Sequence, residues 1–147
     1  MNQLLLIVSI AGSRVALPAS AVESVIELDT LIPVPRSPAH VAGLSALRSR
    51  VLTVIDCQRA LGLGVSDFSD GINEAAVVEV EGHHYALSVD AVEDVIEASS
   101  DLQPVKAAMG EGWERVARGM VETGEGPLLL VDITALIGAE AQERAVA

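Results

Sequence analysis

The chain repeats itself once, and that repeat limits the fold more than any other feature. Residues 16–27 read A-L-P-A-S-A-V-E-S-V-I-E, and residues 86–97 read A-L-S-V-D-A-V-E-D-V-I-E. Eight of the twelve positions are identical at an offset of 70, among them Val22/Val92, Glu23/Glu93 and Ile26/Ile96. A second block follows in each copy. Gly43-Leu44 matches Gly119-Met120, and Leu52 to Gly62 matches Leu128 to Gly138, now at an offset of 76. The second copy therefore carries six extra residues, which the pattern places in the polar stretch Ser99 to Glu114. Order, spacing and punctuation recur together, so the halves are expected to be two copies of one supersecondary unit.

The unit reads as short strands. Ala75 to Glu81 and His84 to Val89 are apolar and β-branched around a turn at Gly82-His83, a hairpin signal. Gly43 to Ala46 and Val51 to Ile55 flank a tight turn at Leu47 to Arg50. Val116 to Glu122 and Leu128 to Val131 do the same around Thr123 to Gly126. Ser20 and Asp90 are N-cap residue types and predict a helical turn at each. Asp56…Gly62 and Asp132…Gly138 read as a capping Asp, a short helix and a terminating Gly. Such a pattern predicts a mainly β fold with few short helices. The expected organisation is one domain over 1–147, with approximate subdomains 12–70 and 71–138, strand 3–10 packing on either, and a tail at 139–147. Gly64 to Asn73 is the expected linker. Units near 70 residues are marginal alone, so a shared core is expected. Val25 and Ile96 are both expected to be buried.

Composition removes several functions. The 147 residues hold 9 Lys+Arg against 21 Asp+Glu, a net charge of −12. This argues against nucleic-acid binding, which needs clustered bases, and against a polybasic membrane anchor. Half of the residues are hydrophobic and 2% are aromatic, so the core must be aliphatic. Leu4 to Ile10 is too short to span a bilayer and has no basic flank, so no signal peptide is read there. A cytoplasmic location is the default. A single Cys excludes an internal disulfide framework.

Chemistry-bearing residues are sparse. Cys57 ends an apolar strand, and its repeat-mate is Ile133, so it reads as core filler. His83 and His84 are adjacent, and on a strand they point to opposite faces, a poor chelate. His40 has no acid motif beside it. Asp56 and Asp132 are better explained as caps than as a carboxylate pair. No phosphate loop or hydrolase motif is found, so neither cofactor nor metal is expected. What needs explaining is Arg48 and Arg50 on a tight turn, because their repeat-mates are Gly124 and Gly126. The fold does not require cations there, and Arg is enriched at binding hot spots. Charge is also divided unequally: the net is −1 to residue 70 and −11 beyond it. An aliphatic chain of this size is further expected to expose apolar partner surface.

The run H-V-A-G-L-S-A-L-R-S-R-V-L-T-V-I-D-C-Q-R-A-L-G (His40 to Gly62), the A-V-E-S-V-I-E block and the ending E-T-G-E-G-P-L-L-L-V-D-I-T-A-L-I-G resemble the CheW family of bacterial chemotaxis coupling proteins. The resemblance spans about Leu4 to Gly138. It implies two SH3-like five-stranded barrels around a common core, and no catalysis. It implies an adaptor joining a chemoreceptor's cytoplasmic hairpin tip to the regulatory domain of a histidine kinase, with the hairpin in the groove between subdomains. It also leaves room for self-association. Arg48 matches the family's signature Arg, Gly43 its leading Gly, and Val22 a Val near the receptor-facing surface. These three and Arg50 form the expected partner-binding set. Ala46, Ser49 and Ser24 stand where the family usually has Asn, Gly and Glu. Those departures leave the fold untouched and leave the partner open, including a decoy that binds only the kinase. From the residues alone, a small-ligand-sensing barrel is the alternative.

Overall fold

A computed structural model describes residues 3–28, 31–47, 49–66, 68, 73–105 and 109–138. Within them the chain order is β1 Leu4–Ile10, β2 Ser13–Pro18, β3 Val22–Glu27, β4 Val41–Leu47, β5 Arg50–Asp56 and α1 Cys57–Ala60, then β6 Glu74–Val80, β7 His83–Val89, β8 Ala91–Glu97, α2 Glu111–Val116, β9 Ala117–Thr123, β10 Gly126–Val131 and α3 Ile133–Ile137. The repeat is thus five strands and a closing helix, twice. The capping Asp residues behave as expected. Asp56 accepts from the Arg59 amide at 3.2 Å, and Asp132 accepts from the Ala135 amide at 3.1 Å. α2 is the main feature of the six-residue insertion, and none of the described residues between β3 and β4 is helical.

The hairpins turn on two residues. Ala11-Gly12 and Glu81-Gly82 all have positive φ, as a type I′ turn demands. The second turn therefore sits one residue before the expected Gly82-His83. A 3-10 turn forms at Ala19–Ala21 after Pro18, without a side-chain cap. No helical turn forms at Asp90, which lies on a bend. Its carboxylate instead accepts from the Gly12 amide at 2.9 Å. That bond ties the β7–β8 corner to the β1–β2 turn and leaves the carboxylate committed there rather than to a cap.

The strands form two five-stranded sheets, ordered β8-β1-β2-β10-β9 and β3-β6-β7-β5-β4. Replacing each strand by its repeat-mate converts one order into the other. The sheets do not divide the chain at residue 70, as the expected subdomains 12–70 and 71–138 would. The β1–β2 hairpin of the first copy pairs with β8 and β10 of the second, and the β6–β7 hairpin of the second copy pairs with β3 and β5 of the first. One sheet is therefore residues 22–89, and the other joins 4–18 to 91–131. The reason is the corner after each hairpin, which swings the third strand out of its hairpin's sheet. β1, left open at 3–10 in the sequence, lies between β2 and β8.

Each sheet curls into an SH3-like barrel. Bridges Ala98↔Thr123 and Gln103↔Met120 help to close one, and Ile32↔Leu44 helps to close the other. Leu5, Ile7, Ala16, Val121, Leu128 and Leu130 fill the barrel formed by 4–18 and 91–131. Leu28, Leu52, Val54, Ala75, Val77 and Ala86 fill the 22–89 barrel. Alternate residues of the same strands, such as Leu6, Val8, Leu17, Ala76, Val78 and Leu87, point outward into a third core between the barrels. Strands buried on both faces read as unbroken apolar runs, which is why L-L-L-I-V and A-A-V-V lack alternation. The shared core is the expected one. No helix among the described residues is long and apolar enough to cross a membrane.

The short helices meet at this core. Arg115 at the end of α2 donates to the carbonyls of Ala135 and Ala60, in α3 and α1. Those oxygens have no partner further along a helix. α2 also docks closely, since a Cβ on Gly112 would lie 1.9 Å from the Leu61 carbonyl oxygen.

The expectation for Val25 fails. Val25 is 42% exposed, and the residue packed into the barrel is its neighbour Ile26. Ile96, the mate of Ile26, packs against the other barrel core. One position along a strand reverses the face. Val25→Asp should therefore shift the denaturation midpoint little, whereas Ile96→Asp should lose about 3 kcal/mol or more by placing a carboxylate against aliphatic side chains. Urea denaturation of the two variants checks this pair of outcomes.

Candidate functional site

The β4–β5 hairpin pairs Leu47 with Arg50 across a two-residue connection. Arg48 lies outside the described residues. Arg50 opens β5 and is exposed, and its Nη1 lies 3.3 Å from Glu23 Oε1 on β3 and 3.0 Å from His84 Nε2 on β7. His84 Nε2 is also 3.3 Å from Glu23 Oε1 and 3.2 Å from Glu79 Oε2 on β6. The turn and β3 bound a groove of about 610 Å³, with residues 23–26 on one wall, Leu47, Ser49 and Arg50 on the other, and Val77 among its lining. This groove lies on the 22–89 barrel. At the junction between the barrels, above the shared core, a second groove of about 500 Å³ opens between α1 and α2, lined by residues 59–63 and 109–113.

The remaining expected site residues separate. Val22 is half-buried, pairs with Val78 and packs on the shared core. Gly43 is buried beneath the strap of residues 31–33, and a Cβ there would lie 2.5 Å from the Ile32 carbonyl oxygen. It presents no side chain to a partner, and its role in this geometry is to let the strap cross β4. Its mate Gly119 does the same under Gln103, also at 2.5 Å.

The potential reactive groups have structural roles. Cys57 is fully buried, and burial, reinforced by Asp56, pushes its thiol well above the usual range. A thiol held protonated is a poor nucleophile. His40 is buried, with Nε2 3.3 Å from the Ile137 carbonyl, an acceptor that assigns the proton to Nε2. Nδ1 has no hydrogen-bond partner among the described residues. Asp56 accepts from the Ser66 hydroxyl at 2.6 Å and amide at 2.9 Å in addition to its cap. Both barrel interiors are packed with aliphatic side chains.

Sequence reasoning missed the cluster of Glu23, Glu79, His84 and Arg50. The signal was available in the repeat. Arg14 is the mate of His84, and Glu93 is the mate of Glu23. In the other barrel Arg14 pairs with Glu93 at 2.8 Å and Glu125 at 2.5 Å. Two acids flanking one basic position recur in both halves, although the third partner comes from a different place in each.

Two outcomes follow. Gly43→Ala and Gly119→Ala should each destabilise the protein by about 1–3 kcal/mol, because backbone rather than a movable side chain must yield; thermal unfolding measures it. Cys57 should react with a thiol reagent only after denaturant is added, as absorbance of the released chromophore would record.

Residues 4–141 match the model of the CheW-like domain family. Chemotaxis protein CheW of Rhizobium meliloti (strain 1021) is 29% identical over 115 residues, covering 77% of this chain and 73% of that protein. Chemotaxis protein CheW of Treponema pallidum (strain Nichols) is 26% identical over 124 residues, covering 81% and 72%. The crystal structure of scaffolding protein TtCheW from Thermoanaerobacter tengcongensis shares the fold, with a TM-score of 0.77 at 23% identity over 92% of this chain and 88% of that one. A family match over nearly the whole chain, on two barrels whose repeat-mates superimpose strand for strand in their sheet order, establishes that this chain belongs to the CheW-like domain family.

Proposed function

We propose that this chain is a chemosensory adaptor that couples the cytoplasmic hairpin tip of a chemoreceptor to the regulatory domain of a histidine kinase in the cytoplasm. As a CheW-like protein it is a scaffold and not an enzyme. The observation that carries the coupling is the inequality of two equivalent turns. The β9–β10 turn is built with Gly124 and Gly126, which shows that the hairpin needs no cation, yet its mate carries Arg48 and Arg50. A cation that the fold does not require, Arg50, on an open groove that Val25 also lines, suits an interface anchor.

The coupling is positional. Two barrels joined through a common core hold two partners at fixed separation, so a small receptor shift can bias the kinase. Arg48, Arg50 and Val22 form the proposed contact set. Ser24, Ala46 and Ser49 adjust which partner is accepted.

The test uses purified kinase regulatory domain and a receptor hairpin fragment in separate titrations. Arg48→Glu should weaken binding of at least one partner by about 1–3 kcal/mol while leaving the melting temperature unchanged. Unaltered affinity for both would remove the turn from the interface. Binding of the kinase domain alone would make the chain a decoy instead of a coupler.

A further inference from the structure

Four polar side chains meet at one end of the 22–89 barrel: Glu23 from β3, Arg50 from β5, Glu79 from β6 and His84 from β7. They extend the faces that carry Leu52, Val77 and Ala86 in the barrel core. One atom, His84 Nε2, lies within 3.0 Å of the Arg50 guanidinium and within 3.2–3.3 Å of both carboxylates. An imidazole nitrogen bears either a lone pair or a proton. In the neutral Nδ1–H tautomer, assigned from the 3.0 Å contact of Nε2 with the Arg50 guanidinium, Nε2 accepts from Arg50; in the imidazolium, with both nitrogens protonated, it donates to Glu79 or Glu23 and repels Arg50. These two bonding patterns exclude each other.

We infer that His84 is a proton switch on Arg50: neutral His84 holds the guanidinium at the barrel end, and protonated His84 takes over the carboxylates and releases it toward the docking groove. Glu23, Glu79 and Arg50 sum to one net negative charge, so the cluster of four carries −1 with a neutral imidazole and is neutral with a protonated one. The flanking His83 and Tyr85 point to the opposite side of β7, where Tyr85 packs on the shared core. The three ligand atoms also lie within 4.8 Å of one another, as metal ligands would. The Arg50 Nη1 already sits against two of them, so the cation that this cluster holds is Arg50's own.

The repeat supplies the internal control. Arg14 occupies the position of His84, paired with Glu93 and Glu125, and a guanidinium does not titrate. The same fold therefore carries a permanent cation in one barrel and a titratable one in the other, on the side where Arg50 borders the groove.

Nitrogen-15 NMR of the full chain tests the switch without any partner. Between about pH 5 and 8, where histidine changes charge, the Arg50 Nε–H signal should move with the same midpoint as the His84 ring, and the Arg14 signal should stay still. In His84→Arg, and in His84→Gln should the former not fold, Arg50 should lose that dependence. A stationary Arg50 signal while His84 titrates, or a titration that survives both variants, overturns the inference. Its consequence for docking rests on the adaptor reading above. Kinase-domain or receptor affinity should rise about two- to fivefold from pH 7.5 to 5.5, the range of one exposed ion pair, and His84→Arg should abolish that rise. No binding at either pH would sink the adaptor reading and leave the NMR result standing; pH-independent binding beside a moving Arg50 signal would sever the switch from docking.

Discussion

The structure depends on hairpins that are buried on both faces. In β1, Leu5 and Ile7 fill one barrel, while Leu6, Val8 and Ile10 face the core between the barrels. In β6, Ala75 and Val77 look into the other barrel, while Ala76 and Val78 look back at that same core. Such a strand cannot be removed from one layer without opening the next. Because each hairpin belongs by sequence to one copy and by pairing to the other, neither barrel is complete until both copies are present. The defining pairs, Leu5↔Ile96 and Ala16↔Leu130, join distant parts of the chain. Closing them is entropically costly, but once made they join the two barrels through one core.

Duplication makes the exceptions readable. Val116 and His40 hold equivalent places, and each carbonyl receives the amide of the following capping Asp, at 2.7 and 2.8 Å. The buried imidazole adds a bond to Ile137 that valine cannot make. Cys57 and Ile133 likewise exchange one small hydrophobe for another. These inner differences preserve apolar filling or satisfy it locally. The outer ones change charge: Arg14 becomes His84, and Gly126 becomes Arg50. Packing tolerates both members of each outer pair, so stability alone does not decide between them.

Much of the architecture was legible because it is written locally. The Gly-bearing turns, the capping Asp residues and the recurrence of A-V-E-x-V-I-E mark strands and helix starts through near-neighbour chemistry. The pairing of each hairpin with the other copy was not legible, since nothing in β1 or β6 distinguishes a sister sheet from its own. Val25 was misread for a related reason. In the run V-I-E either apolar residue could face inward, and a bulge between Val22 and Ser24 sets which one does. Gly43 read as a motif residue, while its contact is made by the Ile32 backbone, about ten positions away in sequence. Arg50 was singled out as a cation that its repeat-mate does without; its partners Glu23, Glu79 and His84 come from three other strands and emerge only with the sheet order.

Under the proposed adaptor role, a scaffold that binds two unlike partners through two like barrels faces a problem of exchange, because any surface dictated by the fold alone appears twice. Discrimination must then come from positions that the fold leaves free, and specificity is a difference between two affinities. Here those positions are the turn that is glycine on one side and arginine on the other, and the basic residue of the paired acid clusters. Each lies at or near a surface where the backbone is matched and the chemistry is not. A partner that reads backbone shape would dock on either barrel, whereas one that reads charge at the β4–β5 turn has a single place to go.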